Sequence, residues 1–177
     1  MSRPMLAASL SLVLAACASQ APMPTVAVPE HLKPAPAEVP LMAVAARGVQ
    51  IYECRVKKDD PQAMEWALVA PEVDLFDRQG QRVGKHYAGP HWEGTDGSKI
   101  VGTVKARADA PQAGTIPWLL LAARSVGPDG AFAKVTSVQR VNTSGGAAPA
   151  PDGCSTATLG QTARVAYTAD YLMFGAK

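Results

Sequence analysis

Residues Val73–Tyr87 read VDLFDRQGQRVGKHY, and this stretch is the clearest sign of an antiparallel β architecture. Two short runs, Val73–Asp77 and Arg82–Tyr87, flank Arg78-Gln79-Gly80-Gln81. Glycine tolerates the positive φ that a tight reversal demands, and the polar neighbours suit a turn. The stretch is therefore predicted to be a β-hairpin. Upstream, Trp66–Val69 is a further short run, separated from the hairpin by Pro71. Before it, Gly48–Val56 (GVQIYECRV) is rich in β-branched and aromatic residues, with Tyr52, Cys54 and Val56 alternating onto one face.

Downstream the same grammar repeats. Gly89–Gly94 and Lys99–Arg107 enclose Thr95-Asp96-Gly97-Ser98, and Asp-Gly between extended runs is a hairpin signal. Ala108–Gly114 is a predicted loop. Ile116–Val126 (IPWLLLAARSV) is the most apolar run of the chain outside its N-terminal segment, and Pro117 and Pro128-Asp129-Gly130 favour strand over helix there. Phe132–Val141 is its predicted partner, Asn142–Gly153 a Gly-, Ala- and Pro-rich loop, and Arg164–Phe174 a last strand. About eight turn-spaced strands with no amphipathic helix give an all-β expectation: an antiparallel sandwich or barrel. There is no internal repeat and no coiled-coil pattern.

Composition agrees. Among 177 residues there are 15 Gly and 15 Pro, and only 18% are charged, a turn-rich balance. The chain carries 17 basic and 15 acidic residues. So near-neutral a balance gives no electrostatic basis for binding nucleic acid.

The N-terminus carries a targeting pattern. Arg3 precedes an apolar run, Met5–Ala16, that is shorter than the ~20 residues a transmembrane helix needs and suits a signal peptide. It ends in Leu14-Ala15-Ala16-Cys17, which resembles the bacterial lipobox. That resemblance implies removal of residues 1–16, a diacylglyceryl group on the Cys17 sulfur and an acyl chain such as palmitate on its amine. Several chains together anchor a protein stably to a bilayer. Ala18 after the cysteine favours the outer membrane. Residues 17–40 then form a tether with six prolines after Cys17, which suits neither helix nor central strand. Its 28–40 half carries Leu32 and Val39 and is a candidate to dock on the β domain of residues 41–177.

With Cys17 lipidated, Cys54 and Cys154 remain. Outside the cytoplasm two thiols are expected to pair, closing a loop of about 100 residues that the chain-entropy model values at ~4.7 kcal/mol. The alternatives are a free thiol or metal ligation, and neither cysteine has the close Cys or His neighbours of a zinc site.

Several motifs in order resemble one family. They are Gly48–Cys54 (GVQIYEC), then His86 with Gly89-Pro90-His91-Trp92-Glu93, Asp96-Gly97-Ser98, and Ile116-Pro117-Trp118-Leu119-Leu120. After these come Val138–Thr143 (VQRVNT), Gly145-Gly146, Ala148-Pro149, Cys154, and Tyr167-Thr168-Ala169-Asp170-Tyr171. Together they resemble the domain-of-unknown-function family numbered 3455, whose members are usually secreted. The match covers roughly Val28–Phe174. His91 departs from the pattern, which leads one to expect a small polar residue such as Thr. The resemblance implies an extracytoplasmic role and supplies no activity.

Two constellations are candidates for chemistry. His86, His91 and Glu93 lie close in sequence, and His91 and Glu93, two apart, share a strand face. Two imidazoles and a carboxylate with an open position would suit zinc or iron, although no cofactor is required by the rest of the sequence. The second group is Arg140, Asn142, Tyr167, Asp170 and Tyr171. It reads either as a structural network, with Arg140 paired to Asp170, or as a polar cleft in which Arg140 holds a carboxylate or sugar hydroxyl beneath stacking tyrosines. Trp92 and Trp118 are expected in the core. Ser98 and Ser125 lack a nucleophile elbow. The expected function is thus a non-enzymatic envelope lipoprotein, a binding or structural module whose partners are the bilayer and an unknown envelope ligand or protein. The alternatives are a metal-binding protein or metal-dependent enzyme, and a hydrolase inhibitor.

Overall fold

The computed structural model describes residues 24–177. The predicted signal segment and Cys17 lie outside the described residues. Eight strands form one closed antiparallel barrel in which each strand pairs with the next and the last pairs with the first. They are β1 (Glu38–Val56), β2 (Met64–Phe76), β3 (Arg82–Tyr87), β4 (His91–Gly94), β5 (Lys99–Ala108), β6 (Trp118–Ser125), β7 (Ser137–Gly145) and β8 (Thr162–Ala176). Of the sandwich and barrel alternatives the chain adopts the barrel, and closure gives every strand a partner on both sides along part of its length.

The hairpin of Val73–Tyr87 is present. Gly80 has φ 78° in its turn, and the Asp77 carboxylate accepts the backbone N–H of Gln79 and of Gln81. Several boundaries differ from the expectations by two residues or fewer, and three strands differ by more. β1 begins at Glu38, ten residues before the predicted run, because Val39–Ala46 pair with the end of β8. The runs around Pro71 are one strand, β2. Its neighbour β3 reaches only Val73–Phe76, so Pro71 lies where β2 has one partner and a missing N–H is tolerated. Phe132–Thr136 is not strand. It belongs to the β6–β7 loop, and its apolar residues turn inward as a plug.

Alternation along the strands sorts side chains between the lumen and the outer wall. Val44, Ala46, Val73, Leu75, Trp92, Ile100, Leu121, Val138, Tyr171 and Met173 form the inner core, joined by Phe132 and Val135 of the plug. A second cluster, Trp118, Leu120, Val141, Leu172 and Phe174, lies on the outer wall and is covered by the segment before β1. Leu32, in a short 3-10 turn at Glu30–Leu32, is fully buried there. The Gln139 side chain donates to the Leu32 carbonyl at 2.5 Å.

Cys54 and Cys154 form a disulfide, with Cα atoms 5.3 Å apart. The expected pairing is therefore present. It ties β1 to the β7–β8 loop.

Candidate functional site

The two ends of the barrel are built differently. At one end the β6–β7 loop enters the lumen. Phe132 and Val135 are each 1% exposed. The Asp96 carboxylate organises this end: it accepts from the Ser98 hydroxyl at 2.6 Å and the Ala131 N–H at 2.7 Å, while the Phe132 N–H donates to Ser98 Oγ. Those bonds, that from the Ser98 hydroxyl first, hold the Asp96 carboxyl below its usual pKa. Ser98 thus anchors the plug.

At the other end the lumen opens into a cavity of about 660 Å³, within the range of roughly 300–1,000 Å³ typical of small-molecule sites. Three features open it. β3 and β4 are short, β2 carries a bulge opposite Ile51/Tyr52, and β5 carries another between Val104 and Ala106. A bulge re-aims side chains and bends its strand. Leu68, Val69 and Val104 at the rim are consequently more than half exposed. Leu119, Leu121 and Ile116 line the wall opposite.

An aromatic and polar group forms the deep face. The His86 ring stacks on Trp92 with centroids 4.4 Å apart, and Tyr171 meets both edge-on. Gly102 makes this possible, because a Cβ there would stand 2.8 Å from the Trp92 ring. His86 Nδ1 lies 2.8 Å from the His91 carbonyl. A carbonyl only accepts, so Nδ1 carries the proton and Nε2 is the acceptor of a neutral ring. Burial pulls the His86 pKa down to about 3. Burial likewise raises Tyr171, against the nearby Arg140 charge, and raises Tyr167, whose hydroxyl lies 3.3 Å from that of Tyr171. These phenols are neutral hydrogen-bonding groups.

Two residues of the cavity lining carry a buried polar atom with no hydrogen-bond partner in the protein: the indole N–H of Trp92 and Oε1 of Gln50, on residues 1% and 2% exposed. Buried polar groups are nearly always satisfied, and one without a partner costs free energy unless something else bonds it. The indoles of Trp66 and Trp118 are also unpaired but lie outside the cavity lining.

The β7–β8 loop roofs part of the opening. Ala147 and Ala148 contribute to the lining. The Tyr52 hydroxyl donates to the Gly146 carbonyl at 2.7 Å. Gly146 has φ 79°, and a Cβ there would meet the Tyr167 side chain at 2.8 Å. The disulfide and the Cys54 N–H to Gln161 carbonyl bond fasten the far side of this roof.

The residues singled out in the sequence are distributed as follows. Arg140, Tyr167 and Tyr171 face the lumen together. Asn142 and Asp170 lie on the outer wall, where the Asn142 amide donates to the Asp170 carboxylate at 2.8 Å. Asn142 sits at φ 50° beside a register shift between Val141 and Ser144, which takes it off the face of Arg140. Arg140 accordingly does not pair with Asp170. It donates from Nε and Nη2 to the Pro117 carbonyl at 3.0 and 2.9 Å.

The metal set does not converge. His86 is inside the barrel, whereas His91 and Glu93 are on the outer face. The Tyr87 hydroxyl donates to Glu93, and Lys85 and Lys99 flank it. The Tyr87 bond, then Lys99 and Lys85, take the Glu93 pKa to about 2. His91 Nδ1 bonds the Ala88 carbonyl. Among the described residues no group of three His, Cys, Asp or Glu could hold a metal ion. The sequence reading does not name Gln50, Tyr52, Leu68 and Val69 as site residues. Gln50 and Tyr52 were legible in principle, as polar residues at alternate positions on the inward face of β1.

A family model described as protein of unknown function (DUF3455) matches residues 34–175. No curated protein and no solved structure matches the chain.

Proposed function

This chain belongs to the DUF3455 family of proteins of unknown function, and we propose that it is a non-enzymatic binding module whose open barrel end holds a small, largely apolar molecule. The observation that carries the reading is the cavity itself. It is apolar on most of its walls, and Gln50, His86, Arg140 and Tyr171 place a few polar side chains in its lining. A few placed polar groups on an apolar concave wall are the usual makeup of a ligand site. The exposed rim of Leu68, Val69 and Val104 supports it, since a bound molecule would cover apolar surface that otherwise faces water.

The test uses the neutral fluorophore N-phenyl-1-naphthylamine, which brightens in apolar sites. One saturable equivalent per chain is expected, with loss of binding in Leu119→Trp, which fills the cavity. Absence of saturable binding in the unaltered protein would sink the reading.

The module is further proposed to work as an envelope lipoprotein, anchored to the bilayer through acylated Cys17 and sorted to the outer membrane. The Leu14–Cys17 pattern supports this. Cys17→Ala is expected to move the protein to the soluble fraction; a variant still found with membranes would overturn the anchor.

A further inference from the structure

Charge in the cavity is one-sided. Its lining includes two arginines, Arg107 and Arg140, and no aspartate or glutamate. Arg107 is exposed at the mouth, where water screens it. Arg140 is half-buried on the lumen side of β7. Its near neighbours are Tyr52, His86, Tyr167 and Tyr171. Its hydrogen-bond acceptor is the Pro117 carbonyl, which is neutral. No ion pair among the described residues involves it.

A guanidinium has five N–H donors in a rigid fork, and the Pro117 carbonyl occupies only part of that fork. The positive charge is left without a counter-charge in an apolar setting, an arrangement that proteins normally relieve by pairing. The group best matched to the fork is a carboxylate, which accepts two parallel N–H bonds. One unpaired guanidinium calls for one negative charge. Away from these groups the walls are hydrocarbon: Leu119, Leu121, Ile116 and the rim of Leu68, Val69 and Val104.

We propose that the cavity takes an organic acid, with its single carboxylate on Arg140 and an aliphatic or aromatic body along the apolar wall and rim. This inference rests on the binding-module reading above and specifies the chemical class of the ligand.

Calorimetric titration of the full protein with decanoate, decanol and decyl phosphate, each below its aggregation limit, tests it. Decanoate is expected to bind roughly tenfold to a hundredfold more tightly than decanol, the range that charge-assisted bonding adds. In Arg140→Gln that gap closes, with decanol affinity retained. Because Arg140 also holds the Pro117 carbonyl, a second readout uses the unaltered protein. Carboxyl-labelled decanoate in the complex should titrate at lower pH than free decanoate, as a carboxylate beside a guanidinium does. Equal binding of decanoate and decanol, or an unshifted bound carboxyl, would overturn the carboxylate assignment and leave the cavity reading intact. Tighter binding of decyl phosphate than decanoate would overturn the assignment in favour of a phosphate headgroup. If none of the three binds, the binding-module reading falls as well.

Discussion

The plugged end of the barrel and its open end are made from the same eight strands, yet they meet the demands of burial in opposite ways. At the plugged end every polar group that matters has a partner inside the protein: Asp96 binds Ser98 and Ala131, and Ser98 binds Phe132. Phe132 and Val135 fill the lumen. At the open end the Trp92 N–H and Gln50 Oε1 are unpaired, Arg140 lacks a counter-charge, and Leu68, Val69 and Val104 face solvent. On the proposed reading, the difference separates stability from function within one sheet. The plugged end satisfies its own polar groups, and the open end carries the features on which the proposed binding site rests.

Substitutions that act on one end alone would sharpen this contrast, and those that act on both would break it. The largest effect is expected from Phe132→Ala. Truncating a fully buried phenylalanine removes about 3–5 kcal/mol of stability. Urea denaturation should show that loss while the affinity for N-phenyl-1-naphthylamine at 25 °C holds. A stable variant with impaired binding would show that the two ends are coupled.

Next comes the disulfide. Replacing both Cys54 and Cys154 by Ser is expected to cost about 2–4 kcal/mol. Hydrogen exchange should rise in residues 146–161, the roof of the cavity, with amides around Asp96 and Phe132 changed only through global unfolding. Uniform loss of protection would remove the roof as a separable element.

The smallest effect is a pH slope. His86 has a folded pKa of about 3, below its ordinary value, so the unfolded chain binds a proton that the barrel refuses. Between the two values the unfolded state holds more protons, and stability falls as pH falls. From pH 7 to pH 5, where carboxylates contribute little, the expected loss from His86 alone is roughly 2 kcal/mol. Urea midpoints measured across that interval should slope in the unaltered protein and flatten in His86→Gln. An equal slope in both would place the linkage on another group.

The sequence was most legible where turn chemistry spoke. Gly80 and Asp96-Gly97 marked reversals correctly because few residues accept those backbone angles, and the compartment argument paired Cys54 with Cys154. Barrel or sandwich was undecided, because inward alternation looks the same in both and closure depends on β1 pairing with β8 across more than a hundred residues. Phe132–Val135 misled because an apolar run looks alike in a strand and in a plug. In the candidate site, spacing alone puts Tyr167 and Tyr171 on one face and Asp170 on the other. Arg140 and Asn142 are two apart and should share a face, but the positive φ of Asn142 and the neighbouring register shift separate them. His86 and Trp92 meet across adjacent strands in a register set by the Ala88–Pro90 turn, which no local pattern announces.

The segment ahead of β1 has a mechanical consequence. His31 bonds the Arg107 carbonyl near the mouth, Leu32 is held by Gln139 midway along the wall, and Ala37 accepts from Lys177 at the plugged end. The chain therefore descends the outside of the barrel before entering it. The described part of this segment reaches the barrel from the mouth side, even though β1 starts at the opposite end. Any pull on the residues before position 24 would be borne first by this strap, with Leu32 as its rivet, and would draw the barrel mouth-first toward whatever holds them.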